Sequence, residues 1–137
     1  MKLPHDLETE RAILGAMLSY EDTQQEGLSV LKAENFLEPK HVDLFQIMEE
    51  LNSKGRAIDI LTVTQMARSK ESKELTAFFI TSLCERVSGS HHFNDWANLL
   101  VALSKKRDVF NTLKRGESKA LSMESDAYSD INELQSE

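Results

Sequence analysis

Leu3-Pro-His-Asp-Leu-Glu-Thr-Glu-Arg-Ala-Ile-Leu-Gly-Ala-Met-Leu18 begins almost at the first residue and reads as a complete amphipathic helix. Asp6 stands where an N-cap belongs, after a proline and before the apolar pattern, so its carboxylate can accept a free backbone N–H of the first turn. Glu8 and Glu10 fall in that turn, where the helix dipole favours negative charge. Because residues i and i+2 do not face each other on a helix, capping and dipole roles account for both acids better than a catalytic pair does. Leu7, Leu14 and Leu18 recur at helical spacing, and Ile13 and Met17 widen the stripe. Gly15 interrupts that run at a cost of about 1 kcal/mol against alanine. The position predicts a second helix crossing closely there, and the apolar face predicts a core wall against the helices that carry Phe45 and Phe79.

Outward from this helix the pattern stays helical. Thr23–Leu31 reads as a short helix weakened by Gly27, and Lys32–Glu38 as a connector whose Phe36 and Leu37 turn inward. Pro39 suits the first turn of a helix running to about Ser53, with Leu44, Met48 and Leu51 as its stripe and His41, Phe45 and Ile47 beside it. Gly55 supplies a left-handed stop. Asp59 caps Ile60–Ser69, whose β-branched residues also suit a strand; helix is preferred because no partner strand occurs in the sequence. Arg68–Lys73 reads as a charged loop. Leu75, Phe79, Leu83 and Val87, four apart with Phe78 and Ile80 alongside, predict a strongly apolar helix at the centre of the core. After Val87-Ser-Gly-Ser90, Ser90 caps a long helix to about Arg115, which makes an αα-hairpin with the helix before it. Gly116 is expected to weaken or end that helix. Leu121, Tyr128, Ile131 and Leu134 then fit either a second weak helix or an extended linker. The expectation is an all-α chain: a small helical head of about five to six helices over residues 1–87, the long hairpin helix over 88–115, and an acidic linker or tail over 116–137.

The chain has 137 residues, and 5 glycines and 2 prolines are too few for a fold of many tight turns. Its formal net charge is −7. The stretch from Gly116 to Glu137 holds six acids against one lysine, which leaves the body through Arg115 at −2. A body so near neutrality does not read as a dedicated nucleic-acid binder. The single cysteine, Cys84, excludes an internal disulfide. With no signal-peptide pattern and no long apolar run, the expected location is the cytoplasm, with no membrane partner.

Catalytic chemistry finds little support. The glycines at 15, 27, 55, 89 and 116 cannot form a Walker A loop, whose backbone amides would wrap a phosphate. No catalytic, cofactor-binding or metal-ligating residues are assigned. His91 and His92 are adjacent, so on a helix they diverge by about 100°, and a capping or solvated role outweighs metal binding. Cys84 lies on an apolar helix without a sequence-near base and reads as a core thiol. The densest basic patch is Lys105, Lys106 and Arg107 with Lys114 and Arg115. It reads first as a solvated helix face and second as a candidate phosphate contact for Lys105, Lys106 and Arg107. Trp96 fits hairpin packing. Its rival reading is an interface, because a two-helix hairpin covers only one side of itself; the candidate partner or oligomer face is Phe93, Trp96, Leu100, Leu103, Phe110 and Leu113.

The opening helix also carries a resemblance. Pro4, His5, Glu8, Glu10, Leu14, Gly15 and Leu18 match a Pro-His-x-x-Glu-x-Glu-x-x-x-Leu-Gly-x-x-Leu pattern that resembles the N-terminal domain of DnaB-type replicative helicases. Glu34-Asn-Phe36 with His41 and Phe45, and Gly55-Arg-Ala-Ile-Asp-Ile-Leu-Thr-Val63, are similar to later segments of that domain. The helix through Phe79 and Leu83 and the turn into the helix of Trp96 and Ala97 follow in order, so the similarity runs from Leu3 to about Arg115. Asp130-Ile-Asn-Glu-Leu134 resembles the start of the family's linker helix. Asn35 and Ala57 stand where Asp and Pro are usual, and the turn Val-Ser-Gly-Ser-His-His departs from the family's form. These departures bear most on which partner the hairpin meets.

The resemblance implies an all-α head with a hairpin. Such heads pair as dimers, and a hexameric ring carries a trimer of those dimers. It implies primase and a helicase loader as partners, with weak or indirect contact to single-stranded DNA. ATP and Mg belong to the family's motor domain, whose motifs are absent from this sequence. The expected function is therefore oligomerisation and primase docking in DNA replication and primosome assembly, without catalysis by this chain alone. An adaptor or regulator that borrows the head to enter or inhibit a helicase ring is the alternative.

Overall fold

The computed structural model describes residues 3–122 and contains six α-helices among them, with no strand. They are α1 (Leu7–Ser19), α2 (Glu21–Val30), α3 (Pro39–Ser53), α4 (Ile60–Ser69), α5 (Ala77–Glu85) and α6 (Phe93–Ser122). A 3₁₀ turn, Ala33–Asn35, lies within the connector before α3. The chain divides into two compact units. The head is His5–Ser104; the other unit is Met1–Pro4 with Lys105–Glu137, of which residues 3–4 and 105–122 are described. The expectations for the sequence beyond Ser122, including Tyr128, Ile131 and Leu134, lie outside the described residues.

Within the head, α1 packs against α2, α3 and α5. Asp6 is its N-cap and accepts from the Thr9 amide at 3.1 Å. Ile13, Leu14, Ala16 and Met17 are fully buried. Gly15 explains how α5 comes so near: a Cβ there would stand 2.2 Å from the Leu83 carbonyl oxygen and 2.9 Å from a Val87 methyl. The obstacle is backbone, which cannot rotate aside. Thus α1, and not α5, is the middle of the core. On α5 Ile80 and Leu83 are fully buried, whereas Phe79 is half-buried and Phe78 is 84% exposed.

The α1–α2 corner is sewn by Thr23, whose buried hydroxyl lies 2.8 Å from the Ala16 carbonyl and 2.7 Å from that of Tyr20. Gly27, read from the sequence as a weakness, is buried; a Cβ there would meet the Met17 sulfur at 2.7 Å and the Phe93 ring at 3.2 Å. Other local signals hold. Pro39 opens α3, Gly55 has φ +68°, and Asp59 caps α4 by accepting from the Thr62 amide at 2.8 Å.

Glu10 corrects the capping reading of the first-turn acids. It is completely buried and accepts three hydrogen bonds. One oxygen receives the Leu37 amide at 2.8 Å; the other receives the Glu38 amide at 3.3 Å and His41 Nδ1 at 2.8 Å. A carboxylate only accepts, so Nδ1 carries the proton. The His41 ring in turn stacks on Phe79, and Lys40 Nζ sits 4.4 Å from the Phe79 ring centre. Glu8, by contrast, is exposed and pairs with Arg11 and Arg86. The Arg11 guanidinium foremost, with Arg86 adding to it, holds the Glu8 carboxyl below its ordinary range.

Two boundaries of α6 also differ from expectation. The helix starts at Phe93, three residues past Ser90, with the Trp96 amide donating to the His92 carbonyl at 3.0 Å. It continues through Gly116 to Ser122. Glycine lowers helix stability by about 1 kcal/mol but keeps its N–H, so it does not terminate a helix as proline does.

Gly15→Leu is expected to destabilise the chain by about 1–3 kcal/mol through overpacking against α5; an unchanged urea midpoint would refute the close-approach account. Glu10→Ala is expected to cost about 1–3 kcal/mol for each buried donor left unpaired, and chemical denaturation measures it.

Candidate interaction surfaces

A helix of thirty residues presents more than one face, and α6 uses two. At about 100° per residue, Phe93, Ala97, Leu100 and Ser104 fall on one side. All four are buried, the first three within the hydrophobic core of the head. Phe93 and Leu100, placed by the sequence on a partner interface, are thus core residues at 1% and 0% exposure and offer a partner nothing. Trp96 and Leu103 are half-buried. Trp96 lines a groove of about 260 Å³ with Arg86, Val87, His91 and His92, and its ring is tilted against that of His92. Among the described residues no three His, Cys, Asp or Glu side chains stand together as a metal site. Cys84 is half-buried, its thiol directed at the Ile80 carbonyl at 3.8 Å.

The second unit carries the rest of the candidate face. From Lys105 onward Val109 and Leu113 are 59% and 68% exposed, and Phe110 is half-buried. Lys106, Val109, Phe110 and Leu113 are spaced i, i+3, i+4, i+7 and share one side of α6. The three apolar members have no apolar cover of their own in the described core.

The basic patch does not survive as a unit. Three consecutive helical residues diverge by about 100° each. Lys105 and Lys106 are exposed, but Arg107 is 6% exposed and donates from its guanidinium to the Pro4 carbonyl at 2.9 Å. Arg107 therefore fastens residues 3–4 to α6, and its guanidinium is buried and already engaged, unlike the exposed Lys105 and Lys106. Nothing in the local sequence marked it out, because its acceptor lies more than a hundred residues away.

The head holds a surface that the sequence did not show. Asp43, Gln46, Ile47 and Glu50 on α3 and Lys70, Ser72 and Leu75 opposite them line a groove of about 500 Å³. Ile47 and Leu75 form its nearly buried floor. Glu50 is committed: Lys70 donates to it at 3.0 Å and Lys54 at 3.2 Å. The Lys70 ammonium foremost, then Lys54, holds the Glu50 carboxyl below its usual range. Asp43 is exposed, with no ion pair among the described residues. No described helix is long and apolar enough to cross a membrane.

Arg107→Ala is expected to lower stability by about 1.5–3 kcal/mol, the range for a hydrogen bond from a charged donor. Lys105→Ala and Lys106→Ala are expected to stay within about 0.5 kcal/mol of the parent. Equal thermal stability of all three variants would contradict the roles assigned to them.

Comparison with known proteins places this arrangement. The replicative DNA helicase DnaB of Treponema pallidum (strain Nichols) is 26% identical over 113 residues, covering 81% of this chain and 26% of that protein. That of Rhodothermus marinus is 27% identical over 137 residues, covering 98% of this chain and 14% of its own length. The chain thus spans a minor part of the curated relatives it matches. The crystal structure of the N-terminal domain of DnaB helicase from Mycobacterium tuberculosis has the same fold: TM-score 0.89 at 19% identity, covering 98% of this chain and 97% of that one. With residues 2–102 matching the DnaB-like helicase N terminal domain, the chain belongs to that family.

Proposed function

We propose that this chain is the assembly module of a replicative DNA helicase, self-associating as a dimer or as a trimer of dimers in a hexameric ring, and docking primase. The observation that carries the reading is the outer face of α6, where Val109 and Leu113 are 59% and 68% exposed beside Phe110. An apolar row of this kind on a long helix is a helix-pairing surface, since a partner helix buries it at i, i+3, i+4, i+7 positions. The family and the relatives' names support a setting in DNA replication, and this reading carries with it a cytoplasmic location. On this reading the chain organises and recruits. ATP and Mg act in a motor domain, and contact with single-stranded DNA or a helicase loader is secondary.

Sedimentation velocity tests the self-association. The parent chain is expected to form concentration-dependent dimers or larger rings, and Leu113→Glu to weaken them by about tenfold or more, equivalent to about 1.4 kcal/mol. Calorimetric titration with a primase C-terminal domain tests docking. A parent that stays monomeric at high concentration and binds no primase overturns the proposal.

A further inference from the structure

Between α4 and the start of α5 a cavity of about 270 Å³ is lined by Thr64, Arg68, Ser72, Leu75, Thr76 and Ala77. Its polar lining is one cation and three hydroxyls, with no carboxylate. Arg68 is exposed, and its guanidinium has no partner among the described residues. The Ser72 hydroxyl accepts the Leu75 amide at 3.2 Å, and the Thr76 hydroxyl accepts the Phe79 amide at 3.1 Å. Each oxygen thereby keeps its own O–H to donate. Thr76 is the N-cap of α5, so the Ala77 and Phe78 amides stand at a helix N-terminus whose first turn carries no acid.

A capped helix start is ordinary by itself. Thr64 sets this one apart. Its hydroxyl oxygen is buried without a hydrogen-bond partner, although its side chain lines the cavity. A buried hydroxyl left unsatisfied is costly. Rotation about χ1 exchanges the hydroxyl and the methyl of a helical threonine, and both arrangements are common, so an acceptor in the cavity satisfies it. The backbone keeps the lining together. The Glu71 amide donates to the Arg68 carbonyl and the Ser72 amide to the Ala67 carbonyl, both at 3.0 Å, with Glu71 in the left-handed region at φ +56°. That turn closes α4 and brings Ser72 to the same cavity as Arg68.

The group that suits this lining is anionic and rich in acceptors, because it must receive donors from several directions and offset a guanidinium. Phosphate has that character; arginine pairs with it through two N–H groups, and helix N-termini favour it. We propose that this cavity binds a phosphate group, with Arg68 as its counter-ion, Thr64, Ser72 and Thr76 as hydroxyl donors, and Ala77 and Phe78 as amide donors. The phosphate is free or is the terminal group of a nucleotide. The Phe78 ring, 84% exposed at the same helix start, offers a base a stacking face.

Calorimetric titration of the chain with inorganic phosphate and with ADP, at matched ionic strength, tests it. The parent is expected to bind saturably with a dissociation constant of about 1 mM or below. Arg68→Ala is expected to weaken binding by about tenfold or more. Arg56→Ala, which removes an exposed arginine outside the cavity, is expected to leave it unchanged. Thr64→Val keeps the side chain's shape without the hydroxyl. It is expected to weaken phosphate binding several-fold while its unfolding temperature without phosphate stays at or above the parent's. Tighter binding of ADP than of phosphate, lost in Phe78→Ala, supports the site with a nucleotide as its ligand; equal affinities support it with free phosphate. No saturable binding up to about 10 mM of either ligand overturns the proposal. So does the parent's affinity in Arg68→Ala, or in Thr64→Val.

Discussion

A carboxylate at zero exposure is the most demanding group in this molecule, and Glu10 imposes its requirements on the elements around it. Burying an ionised carboxylate is tolerable only when its lone pairs are occupied. Here the amides of Leu37 and Glu38 and the His41 ring occupy them. Those donors come from the connector before α3 and from its first turn, so Glu10 ties the start of α3 to α1. Pro39 is consistent with that demand: it opens α3 without an N–H of its own, and the two amides just before it turn to Glu10. His41 then holds Phe79 by ring stacking, which extends the constraint from α1 through α3 to α5.

Gly15 adds a second constraint on the same helix. With the Leu83 carbonyl 2.2 Å from where a Cβ would be, α1 and α5 approach at backbone distance. Together Glu10 and Gly15 fix α1 against α3 on one side and α5 on another. This explains why a helix of thirteen residues can bury eight of them. The head is organised around its first helix because that helix carries both the most costly polar group and the closest contact.

The long helix α6 serves the two units differently. Its opening turns give Phe93, Ala97 and Leu100 to the head, and its later turns present Val109 and Leu113 to solvent. A single apolar period along the sequence thus covers two jobs. Proximity in sequence grouped Phe93 and Leu100 with Leu113, although burial separates them. Lys105, Lys106 and Arg107 divide for a related reason: neighbours on a helix point in different directions, and only one of the three meets the Pro4 carbonyl.

The sequence by itself determined what depends on a few neighbouring residues. The caps at Asp6 and Asp59, the proline start of α3, the left-handed Gly55, the helical state of Ile60–Ser69 and the close crossing at Gly15 were all readable there, as was the family. Each rests on hydrogen bonds within one turn or on a period that local geometry enforces. Tertiary structure alone decided that Glu10 is a buried hub, that Arg107 is a tether, and that Asp43 and Lys70 flank a groove. In each case the partner lies about 27 to 103 residues away, and no local periodicity encodes a polar contact at that separation. Acids in a first helical turn look alike in sequence whether they face solvent, as Glu8 does, or the core, as Glu10 does. What separates them is which side of α1 receives α3, and that is settled only when the helices pack.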